Sequence, residues 1–327
     1  MPHRRKFYPK DSVLFVTFSA EKGLPLIPNA IINGILEGIM ARAQFLYGQE
    51  LCHYVFMSNH GHLIIRVTDP DKFSDFIGYI KCKSADAVNR LLERKKQTVW
   101  CDGFDSPVIV TPETLEDKIK YVYLNPAKAR LVDSIEEYPG INSWKTFTKS
   151  KTETVKKVRW IRPSTIKKLP TKSSNYGEQI LFLNRLRKVN KIDHELVTTP
   201  NAWMKTFVKI GKEEAKLINE RIIKEVKLAE ESYRSEKPSV MGVSKLRSQP
   251  LTLKHERKKN SPRTQFLSSD ITLRVKLLNW FKEMSNLATQ AWQNLRDGIE
   301  AILPAGFYGP GRVLHANCFN FMAMCGT

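Results

Sequence analysis

The chain has 327 residues, 42% hydrophobic, 10% aromatic and 26% charged, a globular composition that excludes a wholly disordered polymer. Lys and Arg total 53 against 33 Asp and Glu, a formal net charge of +20, which points to a polyanionic partner and makes an acidic one the expected ligand class. At about 100–200 residues per domain, the length predicts two domains.

The most apolar run, around Ile31–Met40, is interrupted by Asn, Glu and Gly and falls short of a membrane span, so no membrane partner is expected. The basic start Met1–Lys6 is followed by no apolar h-region, which predicts no secretory signal. Five cysteines without a C-x-x-C pair argue against a disulfide framework and a structural zinc site. A cytoplasmic, reduced protein is expected. Charge is uneven: residues 1–150 hold 20 basic and 17 acidic side chains, a net of +3, and residues 151–327 hold 33 and 16, a net of +17. Such a split fits a catalytic module joined to one that grips a polyanion, with nucleic acid favoured. The alternative is a solvated basic face that serves solubility.

Taken in chain order, Val13–Phe18 is β-branched and aromatic, a predicted strand. Pro28-Asn29 opens an apolar-periodic run from Ala30 to about Leu46, a predicted helix. His53–Met57 and His60–Val67 are strands joined by a Ser58-Asn59 turn, a predicted hairpin. Asp69 caps a helix expected to reach about Lys96, with an interruption near Gly78. A loop, Trp100–Asp105, precedes a short strand, Val108–Val110. Thr111-Pro112-Glu113 starts a helix through Lys120–Leu124 to Asn125-Pro126, with Thr as cap and Pro in the first turn. These elements predict an α+β fold, an antiparallel sheet with packed helices, over residues 1–147. Residues 148–327 read as a basic, mainly helical region, with helices near 177–188, 213–233 and 271–302, a weak strand at 155–161, and a flexible basic linker around 244–270.

Three features carry chemistry. His60 and His62 alternate on a strand, so both imidazoles face one way and can share a divalent metal; read alone, they could equally be incidental polar residues. Tyr121 and Asn125 are four apart on a helix and share a face, within about 40°. Tyr123 faces the opposite way and suits the core. Taken alone, Tyr121 could be an ordinary half-buried aromatic, and Asn125 could cap a following helix, Pro126–Leu131. The third feature is the order strand, helix, hairpin with H-x-H, helix, short strand, Tyr-bearing helix.

With Phe15-Val16-Thr17, Met57–Leu63, Trp100–Asp105, Tyr121–Pro126 and Ala129–Val132, that order resembles the single-tyrosine transposases of the HUH (His–hydrophobic–His) endonuclease superfamily. More narrowly it resembles the repeat-associated tyrosine transposases, over residues 5–147. The resemblance implies a ferredoxin-like HUH fold and a metal-dependent single-strand endonuclease and strand transferase. It implies Mg²⁺ or Mn²⁺ held by His60, His62 and Asn125, with Tyr121 as nucleophile and a covalent 5′-phosphotyrosine. The expected partner is single-stranded DNA at a hairpin or palindromic repeat, bound by a monomer or homodimer. The residues expected to grip DNA are Arg4, Arg5, Lys6, Lys81, Lys83, Arg90 and Lys118, with Lys254, Arg257, Lys258, Lys259 and Arg263 in the linker. Trp160 is a further candidate, for stacking on unpaired bases. A catalytically silent, domesticated hairpin-binding protein is the rival reading, and a metal hydrolase without a covalent tyrosine a third.

Two positions depart from the family pattern. The middle residue of H-x-H is Gly61 rather than a bulky apolar one, and Pro9–Ser12 stands where many repeat-associated members carry a glycine-containing turn. The tail also resembles long family variants, in Ser261-Pro262, Trp292–Gly298 and Pro304–Pro310, with no function implied.

Overall fold

The computed structural model describes residues 7–21, 24, 29–149, 153–169, 175–207, 210–236, 239–249, 264–304 and 306–307. The predicted elements of the first half form in order. These are β1 (Val13–Ser19), α1 (Ala30–Tyr47), β2 (Glu50–Phe56), β3 (His60–Arg66), α2 (Pro70–Leu91), β4 (Val108–Ile109) and α3 (Pro112–Lys128). Asn29 caps α1 by accepting from the Ile31 and Ile32 amides, Asp69 caps α2, and Thr111 caps α3, each satisfying amides that the first helical turn leaves open.

The boundaries differ from the sequence reading in three places. α2 runs through Gly78, which is exposed with nothing near its missing Cβ, so the glycine costs about 1 kcal/mol of helix propensity without breaking the helix. It then ends at Leu91, where the polar run Glu93–Lys96 offers no apolar stripe and Glu93 and Lys96 take positive φ. α3 continues through Asn125-Pro126 to Lys128. Asn125 is therefore inside a helix and caps no second one.

β2 and β3 pair as an antiparallel hairpin, and β1 pairs antiparallel with both β3 and β4. The second half is mainly helical and also adds strands. After α4 (Trp144–Thr148), which ends the first half, it supplies β5 (Thr154–Arg159), α5 (Tyr176–Val189), β6 (Asp193–Thr198), α6 (Lys212–Glu236), α7 (Val243–Arg247), β7 (Phe266–Leu267) and α8 (Ile271–Arg296). Its three strands join the same sheet, in the order β5-β6-β2-β3-β1-β4-β7 among the described residues. β6 runs parallel to β2 and β7 parallel to β4, while β5 pairs antiparallel with β6. The sheet is thus mixed, antiparallel at its centre and parallel where the later strands attach. Of the expected linker, α7 and β7 are ordered elements, and residues 250–263 lie outside the described residues. α8 stops at Arg296, before Gly298 at φ +80°.

Helices cover both faces. Phe18 packs on Trp100, whose indole N–H donates to Ser84 of α2 at 2.7 Å, which places α2 on the Phe18 face together with its neighbour α1. α1 is approached closely from the second half: a Cβ on Gly38 would stand 2.5 Å from the Arg159 carbonyl oxygen, so only glycine admits that backbone. α3 lies on the opposite face, where Phe15, Thr17 and His62 point.

Candidate active site

Strand register assembles the site. Thr17 of β1 stands opposite His62 of β3, and Ser19 opposite His60. Since neighbouring strand residues alternate faces, His60 and His62 emerge together on the α3 side and Gly61 faces the other way. The two imidazole rings lie 4.8 Å apart, nearly perpendicular. His60 Nδ1 donates to Asn59 Oδ1 at 2.8 Å, and His62 Nδ1 is hydrogen-bonded to Thr17 Oγ1 at 2.9 Å. Each ring is therefore oriented through Nδ1. His62 Nε2 is buried with no hydrogen-bond partner, an arrangement common for a histidine that ligates a metal through that nitrogen while its other ring nitrogen is hydrogen-bonded.

Burial pushes His60 down to about 4 and His62 well below the ordinary range, the latter helped by the neighbouring His60 and Lys118 charges. Both rings are neutral at pH 7, which is the ligating form. Tyr121 stands over this pair: its ring is 5.2 Å from His62 and 5.8 Å from Phe15, edge-on to both, and it is 38% exposed. Burial raises its phenol, and a hydrogen bond from Asn125 works against that shift. Asn125 Nδ2 donates to the Tyr121 carbonyl at 2.6 Å, which leaves Oδ1 as the amide's available oxygen. Two imidazole nitrogens and one amide oxygen suit Mg²⁺ or Mn²⁺ as a borderline set. Among the described residues no group of three or more His, Cys, Asp or Glu is placed to hold a metal.

Tyr123, two residues along α3, points into the core. Its hydroxyl is hydrogen-bonded to His53 Nδ1 at 2.8 Å and Ser143 Oγ at 2.9 Å, and Ser143 Oγ accepts from the Tyr54 amide at 2.8 Å. This buried network ties α3 to β2. On its outer side α3 is clamped by α6 through Glu116–Arg221 at 2.7 Å and Lys120–Glu225 at 2.9 Å. Beyond the helix, Ile135 N donates to Glu230 of α6 at 2.6 Å.

Gly61 has a local reason. Its missing Cβ would meet Phe56 at 2.9 Å and Phe18 at 3.6 Å. These rings, packed edge to face at 6.0 Å, already fill the space that a bulky middle residue would take.

The other predicted residues are dispersed. Lys118 stands at the site, half-buried beside Phe15 and Tyr121. Lys81, Lys83 and Arg90 are on α2, across the sheet. Lys81 donates to the carbonyls of Cys101 and Gly103, and Lys83 pairs with Asp86 at 4.0 Å. Arg4, Arg5, Lys6, Lys254, Arg257, Lys258, Lys259 and Arg263 lie outside the described residues. Trp160 does not offer a stacking face: it is 9% exposed, with the Arg42 guanidinium 3.7 Å over its ring. The sequence reading did not single out Thr17, the partner of His62, or Phe15 as part of the site. Pairing of the first strand with the H-x-H strand, in register, would have found both.

Residues 26–124 match the model of the family described as transposase, IS200-like. This region is similar to IS200-like transposases. The resemblance read from the motifs thus holds for the segment that bears H-x-H and Tyr121, and at the coarse level it gives an enzyme that cuts and rejoins DNA. Comparison with curated proteins gives no match. Among solved structures, a REP-associated tyrosine transposase bound to a REP hairpin is similar at 18% identity and TM-score 0.41, over 46% of this chain and 87% of that one. A Deinococcus radiodurans R1 protein solved as a candidate transposase is similar at 19% identity and TM-score 0.28, over 37% and 95%. Likenesses this low add nothing to the family match. Among the described residues no helix is long and apolar enough to cross a membrane.

Proposed function

We propose that this IS200-like region is a metal-dependent single-stranded DNA endonuclease and strand transferase with Tyr121 as its nucleophile. The observation that carries the reading is the unpartnered, buried Nε2 of His62 beside the half-exposed Tyr121 ring. His60, His62 and Asn125 would hold Mg²⁺ or Mn²⁺. When bound, the cation offsets the negative charge that protects a phosphodiester from nucleophiles. Tyr121 Oη attacks phosphorus, a Tyr–O–P bond forms, and the P–O3′ bond breaks. The phenol loses its proton and the departing oxygen ends as a 3′-OH, so charge and atoms balance. The 5′-phosphotyrosine keeps the ester, and a 3′-OH can reverse the step without ATP, which makes the chemistry transfer rather than digestion. Thr17 and Asn59 hold the histidine rings, and Tyr123 holds α3, so that the nucleophile need not be positioned at each turnover. The proposed DNA is single-stranded beside a hairpin or palindromic repeat.

The test is an SDS-resistant protein–DNA adduct on single-stranded oligonucleotides carrying a short hairpin. Wild type should form it with Mg²⁺ or Mn²⁺, Tyr121→Phe should not, and His60→Ala or His62→Ala should lose it while binding DNA within a few fold. Adduct that persists in Tyr121→Phe would refute the assignment. Binding without any adduct would leave a silent hairpin-binding protein.

A further inference from the structure

α3 carries two lysines next to the nucleophile, and they are treated differently. Lys120 is neutralised twice, by Asp117 at 3.0 Å and Glu225 at 2.9 Å. Lys118 has no carboxylate within ion-pair distance among the described residues, although it is half-buried. Its nearest acidic neighbour on the helix, Asp117, is the one engaged by Lys120. The ammonium instead sits 5.3 Å from the Phe15 ring centroid and 5.4 Å from that of Tyr121. Phe15 stacks in turn on His62 at 5.4 Å.

Positions 118, 121 and 125 follow i, i+3, i+7 and form one stripe on α3. Tyr121 in that stripe stands 5.2 Å ring to ring from His62 and 5.4 Å from the Lys118 ammonium, so a phosphodiester placed for attack by Tyr121 enters within reach of Lys118. A half-buried cation without a counter-ion is costly, and aromatic faces return only part of that cost. An anion arriving at the site would be attracted in a setting where the rings exclude water and weaken screening.

We infer that Lys118 binds the phosphate that Tyr121 attacks, contacting a non-bridging oxygen and aligning the ester, and is thus a catalytic residue rather than one of the dispersed surface lysines that hold DNA. The inference rests on the proposed nuclease reading. An ammonium on that oxygen lowers the charge opposing the nucleophile and fixes the direction of approach, two effects that strengthen as the bond forms. The lysine's contribution should therefore appear in the rate at saturating DNA, whereas a general DNA-gripping lysine would change affinity.

The experiment follows adduct formation in single turnover, with full-length protein and excess single-stranded oligonucleotide bearing a short hairpin beside a randomised stretch. Wild type is compared with Lys118→Met, Lys118→Gln, Lys118→Arg and Tyr121→Phe. Lys118→Met keeps the apolar stem and its ring contacts and removes only the charge. The expected result is a fall of about thirtyfold or more in the saturated rate for the Met and Gln variants. DNA affinity should stay within about threefold, the melting temperature should not change, and Arg should restore most of the rate. A Met variant within threefold of wild type overturns the inference and assigns Lys118 a packing role. So does a loss confined to affinity. If wild type itself forms no adduct, the nuclease reading falls and takes this inference with it. Adduct lost in Tyr121→Phe but unaffected in Lys118→Met removes the lysine's role alone.

Discussion

Replacing Gly61 by valine restores the bulky middle residue usual in the motif, yet the structure predicts that this destabilises the protein. A Cβ at 61 would lie 2.9 Å from Phe56 Cε1, 3.0 Å from Cδ1 and 3.6 Å from Phe18 Cζ, and real contacts do not close below about 3 Å. Phe56 is fully buried and packed edge-on against Phe18, so its ring has little room to turn away. Overpacking of this kind costs about 1–3 kcal/mol. Removing a strand glycine returns about 0.5–1 kcal/mol. Taking the middle of each range, the net expectation for Gly61→Val is a loss of about 1 kcal/mol, read as a lower urea midpoint at unchanged m. Phe56→Leu, which opens space on the same face, should cost on the order of 1 kcal/mol alone. In combination with Gly61→Val it should cost less than the sum, with a coupling of about 1 kcal/mol. Gly61→Val as stable as wild type, or a strictly additive double variant, would refute the reasoning.

Asn125 is inside α3, so Asn125→Ala should leave stability within about 0.5 kcal/mol, since alanine has the higher helix propensity, while raising the metal concentration needed for half-maximal adduct formation; unchanged metal dependence would remove Asn125 from the ligand set. His53 is buried beside Tyr123 and held down to about 3, below its ordinary 6.5, so between those values the unfolded chain binds a proton that the folded chain refuses. Stability should therefore fall as pH drops from about 6.5 towards 3, by at most about 1.4 kcal/mol per unit for this residue, and urea titrations of His53→Phe should show a shallower fall. A chain ended after residue 150 tests whether the motif-bearing part is independent. It lacks β6 beside β2, β7 beside β4, and α6 over α3, and it should lose cooperative unfolding and form less adduct than the full chain at saturating DNA.

The site was legible because its parts are local. H-x-H needs only strand alternation, and Tyr121 with Asn125 needs only helical spacing, so two short motifs gave their shared faces before any packing was known. Asn125 itself was ambiguous in sequence because Asn-Pro also begins helices; continuity of α3 through Pro126 resolved it. What the sequence did not disclose is non-local. β6, Asp193–Thr198, mixes charged and apolar residues without a clean period, and it becomes a strand because β5 and β2 supply partners on either side. Trp160, in a basic stretch, was a candidate for stacking on unpaired bases, but Arg42 from α1, over a hundred residues earlier, covers it. The place of Gly61 depended on two phenylalanines from two other strands, an arrangement no spacing rule contains.

The charge split of the sequence takes on a different meaning in the structure. Part of the basic second half pairs with the first: Arg221 with Glu116, Lys156 with Glu37, and Lys205 with Glu50, itself shared with Arg66. Exposed pairs of this kind contribute little each; of the three, Arg221–Glu116 holds α3, which carries Tyr121 and is held on its other side by the Tyr123–His53–Ser143 network. A helix gripped on two sides keeps the phenol at one distance from His62 within the same chain. The lysines and arginines not committed in this way, such as the exposed Lys157, Arg185, Lys188 and Lys191, are the described residues of the second half left to meet a polyanion. The net +17 therefore overstates the charge available for DNA, and a salt slope set by the free cations alone should be shallower than that total would give.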